Sequence, residues 1–258
     1  MSDDVVRWSE AAPGVLRIDL ERPPANALGL PILDGLDAAL DAADAADAHV
    51  VVIASTLPGF FAAGADIKLM ADIDRAGFEA YGDRLRATTD RIAGRLAVAA
   101  VEGLALGGGL ELALACTLRV AGEKAGFGLP EVRLGLIPGA GGTQRLPRAV
   151  GRGRALDIML TARQVPALEA SEMGLVDRLV EPGSAVEAAL ALARELVAGS
   201  AAAQAAVLRA VDAASGLPLP EGLLLERREV GAAFEGDGRE GLRAFLEKRA
   251  PRFPAGRD

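Results

Sequence analysis

The chain has 258 residues, 51% of them hydrophobic, which is enough for a sizeable core in one large domain with or without an appendage. A formal net charge of -8, no basic stripe and only 3% aromatic residues exclude a nucleic-acid-binding surface. The single cysteine, Cys116, excludes an internal disulfide and reads as buried core; the single histidine, His49, excludes a multi-histidine metal site and, at the mouth of a strand, reads as structural rather than as part of a serine–histidine triad.

The start, Met1-Ser2-Asp3-Asp4, is acidic and lacks the apolar run of a secretory signal, and no stretch approaches the ~18 apolar residues of a membrane span. A soluble, cytoplasmic protein without membrane insertion is expected. The first alternation, Val15-Leu16-Arg17-Ile18-Asp19-Leu20, predicts a strand that ends at Arg22-Pro23-Pro24. Residues 28–46 carry Leu33, Leu36, Leu40 and Ala43 at helical spacing, and 49–54 read as a buried strand. A small-residue turn follows at 59–65. The pattern then recurs: a helix over 78–95, a buried strand over 96–101, a glycine-rich turn over 104–109, a short apolar helix over 110–116 and a strand over 118–121. Strand, turn and helix in alternation predict an α/β fold.

From about Gly183 the strands stop, and helices are predicted over 185–198, 201–214, 221–234 and 238–249, interrupted by Gly216-Leu217-Pro218-Leu219-Pro220. The expected division is a core over 1–195 and a helical region over 196–258. With little core of its own, that tail suits docking better than independent folding.

Chemistry concentrates in two turns, Phe61-Ala62-Ala63-Gly64-Ala65-Asp66-Ile67-Lys68 and Gly103-Leu104-Ala105-Leu106-Gly107-Gly108-Gly109-Leu110-Glu111. Small residues let a ligand approach the backbone closely. In the second turn the glycines run directly into a helix, so free N–H groups and the positive helix end face one point, as an oxyanion requires. A phosphate-binding P-loop is excluded because Gly109 is followed by Leu110 and Glu111 instead of lysine and a hydroxyl residue. Gly139-Ala140-Gly141-Gly142-Thr143-Gln144 begins like a dinucleotide turn, but it lacks the last glycine and a clean preceding strand. Glu111 stands in the apolar run Leu110-Glu111-Leu112-Ala113-Leu114-Ala115-Cys116, where desolvation would push its pKa upward. On the residues alone it reads equally well as a helix-start glutamate answering the dipole. Glu131, 20 residues later in Gly128-Leu129-Pro130-Glu131-Val132, reads by itself as a surface glutamate.

Taken together these segments resemble the enoyl-CoA hydratase/isomerase (crotonase) superfamily over nearly the whole chain. The resemblance rests on Arg22-Pro23-Pro24-Ala25-Asn26-Ala27-Leu28, Ala63-Gly64-Ala65-Asp66-Ile67, Gly107-Gly108-Gly109-Leu110-Glu111 and Phe127-Gly128-Leu129-Pro130-Glu131. Gly135-Leu136-Ile137-Pro138-Gly139-Ala140-Gly141-Gly142-Thr143-Gln144-Arg145-Leu146 and Glu240-Gly241-Leu242-Arg243-Ala244-Phe245-Leu246-Glu247-Lys248-Arg249 complete it. One departure is Cys116-Thr117, where the family often has Cys-Asp.

The resemblance implies a crotonase-like spiral of repeated ββα units with a C-terminal helical trimerisation region. It implies syn-addition of water to a trans-2-enoyl-CoA, as in fatty acid β-oxidation, with Glu111 activating the water and Glu131 giving the proton. The amides of Ala65 and Gly108 would form the oxyanion hole, and Gly139 would lend an N–H to the water. Two glutamates favour a hydratase over a Δ3-Δ2-enoyl-CoA isomerase, which often keeps only the second; a catalytically silent acyl-CoA-binding protein needs neither. Ala63, Ala65, Asp66, Ile67 and Lys68 would meet CoA, as would Phe245 and Lys248 from a neighbouring subunit of a trimer or dimer of trimers. Residues 68–84 are expected as a loop lining the acyl tunnel. No metal or redox cofactor is implied, CoA being part of the substrate.

Overall fold

The computed structural model describes residues 5–253, in two compact units that divide between Ala193 and Arg194. The first unit holds two sheets. The larger contains β1 (Val6–Ala12), β2 (Val15–Leu20), β3 (Val50–Ser55), β5 (Ala97–Val101), β7 (Leu118–Gly122) and β10 (Arg178–Val180), side by side in that order. All its pairings are parallel except the β1–β2 hairpin. The smaller contains β4 (Phe60–Ala62), β6 (Leu104–Leu106), β8 (Gly126–Gly128) and β9 (Val165–Pro166), with β9 antiparallel to β8.

The chain visits the large sheet, then the small sheet, then a helix, and repeats. β3 and β4 lead to α2 (Ile67–Ala71) and α3 (Arg75–Ala93), and β5 and β6 lead to α4 (Gly108–Ala115). β7 and β8 lead through a 3-10 turn, Glu131–Leu134, to α5 (Gly142–Val150) and α6 (Arg152–Thr161). This is the expected succession of ββα turns. α1 (Leu30–Ala45) presents Ile32, Leu33, Leu36 and Leu40 to the core from one stripe. β5 is buried along its whole length and β3 along all but its last residue, which is why they read as unbroken apolar runs. α7 (Ala167–Glu172) and most of α8 (Ala185–Val197) close the unit, and Glu102 accepts N–H bonds from Gly183 (2.9 Å) and Ala185 at the start of α8.

Three expectations need correction. β1 was not expected: only Val6 of its seven residues is buried, so it shows no alternation. The two small-residue turns each begin with a three-residue strand, β4 and β6, too short to carry a period. Residues 68–84 are helical except for Asp72–Asp74, because Asp66 and Asp74 cap α2 and α3 by accepting from Leu69 N and Gly77 N.

The second unit contains the end of α8, then α9 (Ala201–Ala214), α10 (Leu219–Ala233) and α11 (Arg239–Leu246). Ser200 caps α9 and donates to Asp237 at 2.6 Å, and Arg209 pairs with Glu229 across α9 and α10 at 2.7 Å. Its apolar residues are largely outside: Val211, Leu219, Leu224, Val230, Phe245 and Leu246 are each at least 58% exposed. Among the described residues no single helix is long and apolar enough to cross a membrane.

Candidate active site

The first part of the site is a pair of peptide planes. Leu28 and Ala65 form a parallel bridge, with Leu28 N–H donating to Gly64 C=O at 2.8 Å. The C=O and N–H of a trans peptide point in opposite directions, so holding Gly64 C=O aims Ala65 N–H away from the bridge. The buried Tyr81 hydroxyl completes the bridge, donating to Leu28 C=O at 2.7 Å and accepting from Asp66 N–H at 3.1 Å. Gly108 opens α4, and the peptide that carries its N–H is fixed by Glu111 N–H donating to Gly107 C=O at 3.0 Å. Among the described residues, neither Ala65 N–H nor Gly108 N–H donates to a protein group. The two strands of chain are in contact here: a Cβ on Gly108 would stand 3.4 Å from Ala65 N. Gly109 makes the approach possible, since a Cβ there would collide with the Ala62 carbonyl.

The motif at 22–28 supports this turn from below. Asn26 is fully buried; its Oδ1 accepts from Arg22 N–H at 2.7 Å, and its Nδ2 donates to Ser55 Oγ at 2.8 Å and Phe61 C=O at 3.0 Å. Arg22 also pairs with Asp66 at 2.7 Å, and this contact holds the Asp66 carboxyl below its ordinary range against the opposing effect of burial.

Glu111 lies one turn into α4, a helix buried on every side, and is itself 2% exposed. Its Oε1 accepts from Ala140 N–H and Gly142 N–H, each at 2.7 Å. Burial raises its carboxyl above the ordinary range; the amides of Gly142, Ala140 and Gly139 and the charge of Arg145 favour the anion and limit that rise without cancelling it. Glu131, first residue of the 3-10 turn, reaches over the other turn: a Cβ on Gly107 would stand 2.9 Å from its Oε1. Its Oε2 is buried and meets no protein donor. Burial, reinforced by the charge on Glu111, pushes the Glu131 carboxyl up to about 7. One carboxyl is therefore wrapped in donors that suit an anion, and the other is suited to keep its proton near neutrality. Beside two unused amides, such a pair can activate water, deliver a proton and stabilise charge on a carbonyl oxygen.

The remaining expected residues divide between the two units. Ala63, Asp66, Ile67 and Lys68 share the turn with Ala65; Ala63 N–H is held by Ala25 C=O at 2.9 Å, Asp66 caps α2, and Ile67 and Lys68 are exposed on it. Phe245, on α11, and Lys248, just beyond it, are exposed residues of the second unit. The Gly139 amide acts on Glu111 itself. Cys116 is buried, and burial pushes its thiol up to about 12, so it is inert core. Thr117 pins the start of β5, accepting from Ala97 N–H at 3.2 Å and donating to Arg95 C=O at 3.0 Å.

Sequence reasoning passed over Tyr81, Arg22, Arg145 and the amides of Ala140 and Gly142. A tyrosine within an amphipathic helix gives no sign of its partner, and amides carry no residue signature. The glycines at 139–142 were the available signal, and they serve a carboxylate instead of a dinucleotide. Among the described residues no three His, Cys, Asp or Glu side chains are grouped to hold a metal ion.

The chain matches the family described as enoyl-CoA hydratase/isomerase over residues 10–256. It is 43% identical over 241 residues to a probable enoyl-CoA hydratase of Mycobacterium bovis, covering 92% of this chain and 93% of that one. It is 42% identical over 240 residues to a probable enoyl-CoA hydratase of Rhizobium meliloti, with the same coverage of 92% and 93%. The crystal structure of an enoyl-CoA hydratase from Bacillus anthracis superposes with a TM-score of 0.92 at 35% identity, over 98% of this chain and 100% of that one. With its ββα succession, its paired amides and its two buried-side carboxyls, the chain belongs to the enoyl-CoA hydratase/isomerase family.

Proposed function

We propose that the protein is an enoyl-CoA hydratase that adds water reversibly and syn to a trans-2-enoyl-CoA, giving the 3-hydroxyacyl-CoA. The observation that carries the reading is the contrast between its two carboxyls, Glu111 receiving two amide bonds and Glu131 raised to about 7 with a buried, unbonded oxygen.

The thioester carbonyl sits against Ala65 N–H and Gly108 N–H. Attack at C3 moves electron density through C2 onto that oxygen, and the two amides stabilise the charge; one such donor commonly contributes ~10²–10³ in rate. Glu111, ionised, takes a proton from the water as its oxygen bonds to C3. Glu131, protonated, gives its proton to C2. The overall reaction is proton-neutral, because the proton taken by one carboxyl matches the proton given by the other. The acid–base groups come from the chain, and CoA enters as part of the substrate, so the reading calls for no cofactor.

The turn Ala63–Lys68 would lie along the CoA moiety, with Lys68 toward its phosphates. Phe245 and Lys248 of a neighbouring copy would complete the nucleotide site in a trimer or dimer of trimers. The outward apolar side chains of the second unit support such an assembly, since exposed apolar clusters of this kind are usually covered. A cytoplasmic role in fatty acid β-oxidation fits this chemistry. The test is incubation with crotonyl-CoA. The enoyl absorbance should fall to an equilibrium value; an unchanged signal with conversion of a 3-enoyl-CoA would establish an isomerase, and binding without turnover at any chain length a silent acyl-CoA-binding protein.

A further inference from the structure

The loop between the 3-10 turn and α5 is held from two sides. On one side Ala140 N–H and Gly142 N–H converge on Glu111 Oε1, each at 2.7 Å. On the other, Arg145 Nη1 donates to Ala140 C=O at 2.9 Å. Arg145 Nη2 is fixed in turn by Asp90 Oδ1 on α3 at 2.7 Å. The guanidinium lies so close to the loop that a Cβ on Gly141, whose φ is +108°, would collide with it. The loop is thus clamped between a cation and a carboxyl that read each other through two peptide units.

Glu111 faces few other charges. Its own helix offers only apolar and glycine residues. The 3-10 turn brings Glu131, α3 brings the neutral Tyr81 and, through Arg145, Asp90, and α5 brings Arg145 itself. Arg145 is therefore the cation that favours a negative Glu111, with Asp90 partly offsetting it. Two carboxyls that sense each other compete for one proton, and a nearby cation decides which of them gives it up.

We infer that Arg145 is a positioning residue that keeps Glu111, and not Glu131, the ionised member of the pair. The inference rests on the hydratase reading for its purpose, but its physical content, the dependence of the Glu111 titration on Arg145, is measured without turnover.

The experiment follows the titration of the Glu111 carboxyl by NMR in protein carrying 13C-labelled glutamate, the signal being assigned by its loss in Glu111→Gln. In Arg145→Gln the midpoint should rise by about one pH unit. Arg145→Lys should keep most of the wild-type midpoint, because the charge remains, while losing rate, because an ammonium cannot hold Ala140 and Asp90 in one fork. The acid limb of kcat/KM for crotonyl-CoA should move with the titration, and KM should change less than twofold. Asp90→Asn, which spares the guanidinium and removes the negative charge that offsets it, should lower the midpoint and covers the case of an unfolded Arg145→Gln. An unmoved midpoint in folded Arg145→Gln, or a midpoint that is not lowered in Asp90→Asn, overturns the inference. A shifted midpoint in a protein that never hydrates crotonyl-CoA leaves the clamp standing and removes the hydratase reading.

Discussion

The hydroxyl of Tyr81 donates to the carbonyl of Leu28 at 2.7 Å, joining the middle of α3 to the residue whose amide orients the Gly64–Ala65 peptide. An ordinary parallel bridge would close with Asp66 N–H on that same carbonyl; here the phenol stands between them, bonded to both. The aim of Ala65 N–H, and with it half of the proposed oxyanion hole, therefore depends on the Tyr81 side chain. Tyr81→Phe should lower kcat for crotonyl-CoA about 10-fold, less than the loss expected for deleting a donor outright. Two buried bonds at ~1 kcal/mol each would also lower Tm by a few degrees. Steady-state kinetics at saturating substrate decide it, and an unchanged kcat would show that the bridge holds without the phenol.

The division of labour between the carboxyls makes a second prediction. Glu111→Gln and Glu131→Gln should each lose at least about 10³-fold in kcat, since each removes a proton-transfer group from the proposed transition state. Affinity for CoA should survive, because neither carboxyl belongs to the turn Ala63–Lys68. Turnover within tenfold of wild type in either variant would contradict the role given to that residue.

Glu131 also ties stability to pH, and the sign follows from its raised value of about 7 against an ordinary 4.5. Between those values the folded protein holds a proton that the unfolded chain has released. Stability from this group is therefore present below about pH 4.5 and is lost as pH rises through about 7. Glu131→Gln removes the loss. Its Tm should match wild type near pH 5 and exceed it at pH 8, by about 2–4 °C for a gain on the order of 1 kcal/mol after allowing for partial solvent access. Calorimetry at the two pH values tests this, and an equal difference at both would assign the effect to packing.

Much of this arrangement was legible in the chain, and the reasons are particular. β3 and β5 are interior parallel strands, so their apolar runs needed no partner to be read. Glu111 was visible because a carboxylate in an all-apolar helix is an energetic anomaly. β1 was not visible, because Trp8 and Glu10 both lie on exposed positions of a strand whose pairing with β2 supplies its order. The partners of Glu111 were not visible either: they are main-chain amides 29 and 31 residues away, and only closure of the loop brings them to the carboxyl.

Two glycines from the quoted motifs should behave in opposite ways, and the difference is steric. A Cβ on Gly109 would lie 2.7 Å from the Ala62 carbonyl carbon and closer still to its oxygen, so α4 and β4 would have to part. That contact sets the spacing between the turns carrying Ala65 and Gly108. Gly109→Ala should therefore cost about 1–3 kcal/mol, lowering Tm by several degrees, and should reduce kcat more than 100-fold. A Cβ on Gly139 meets nothing within 4 Å, and alanine keeps the amide that acts on Glu111. Gly139→Ala should leave Tm within about 2 °C of wild type and kcat within about twofold, a range expected for a surface change that breaks no contact. Thermal melts and crotonyl-CoA kinetics on the pair separate the two cases, and a tolerant Gly109→Ala would mean that the amides do not need the close approach of α4 to β4.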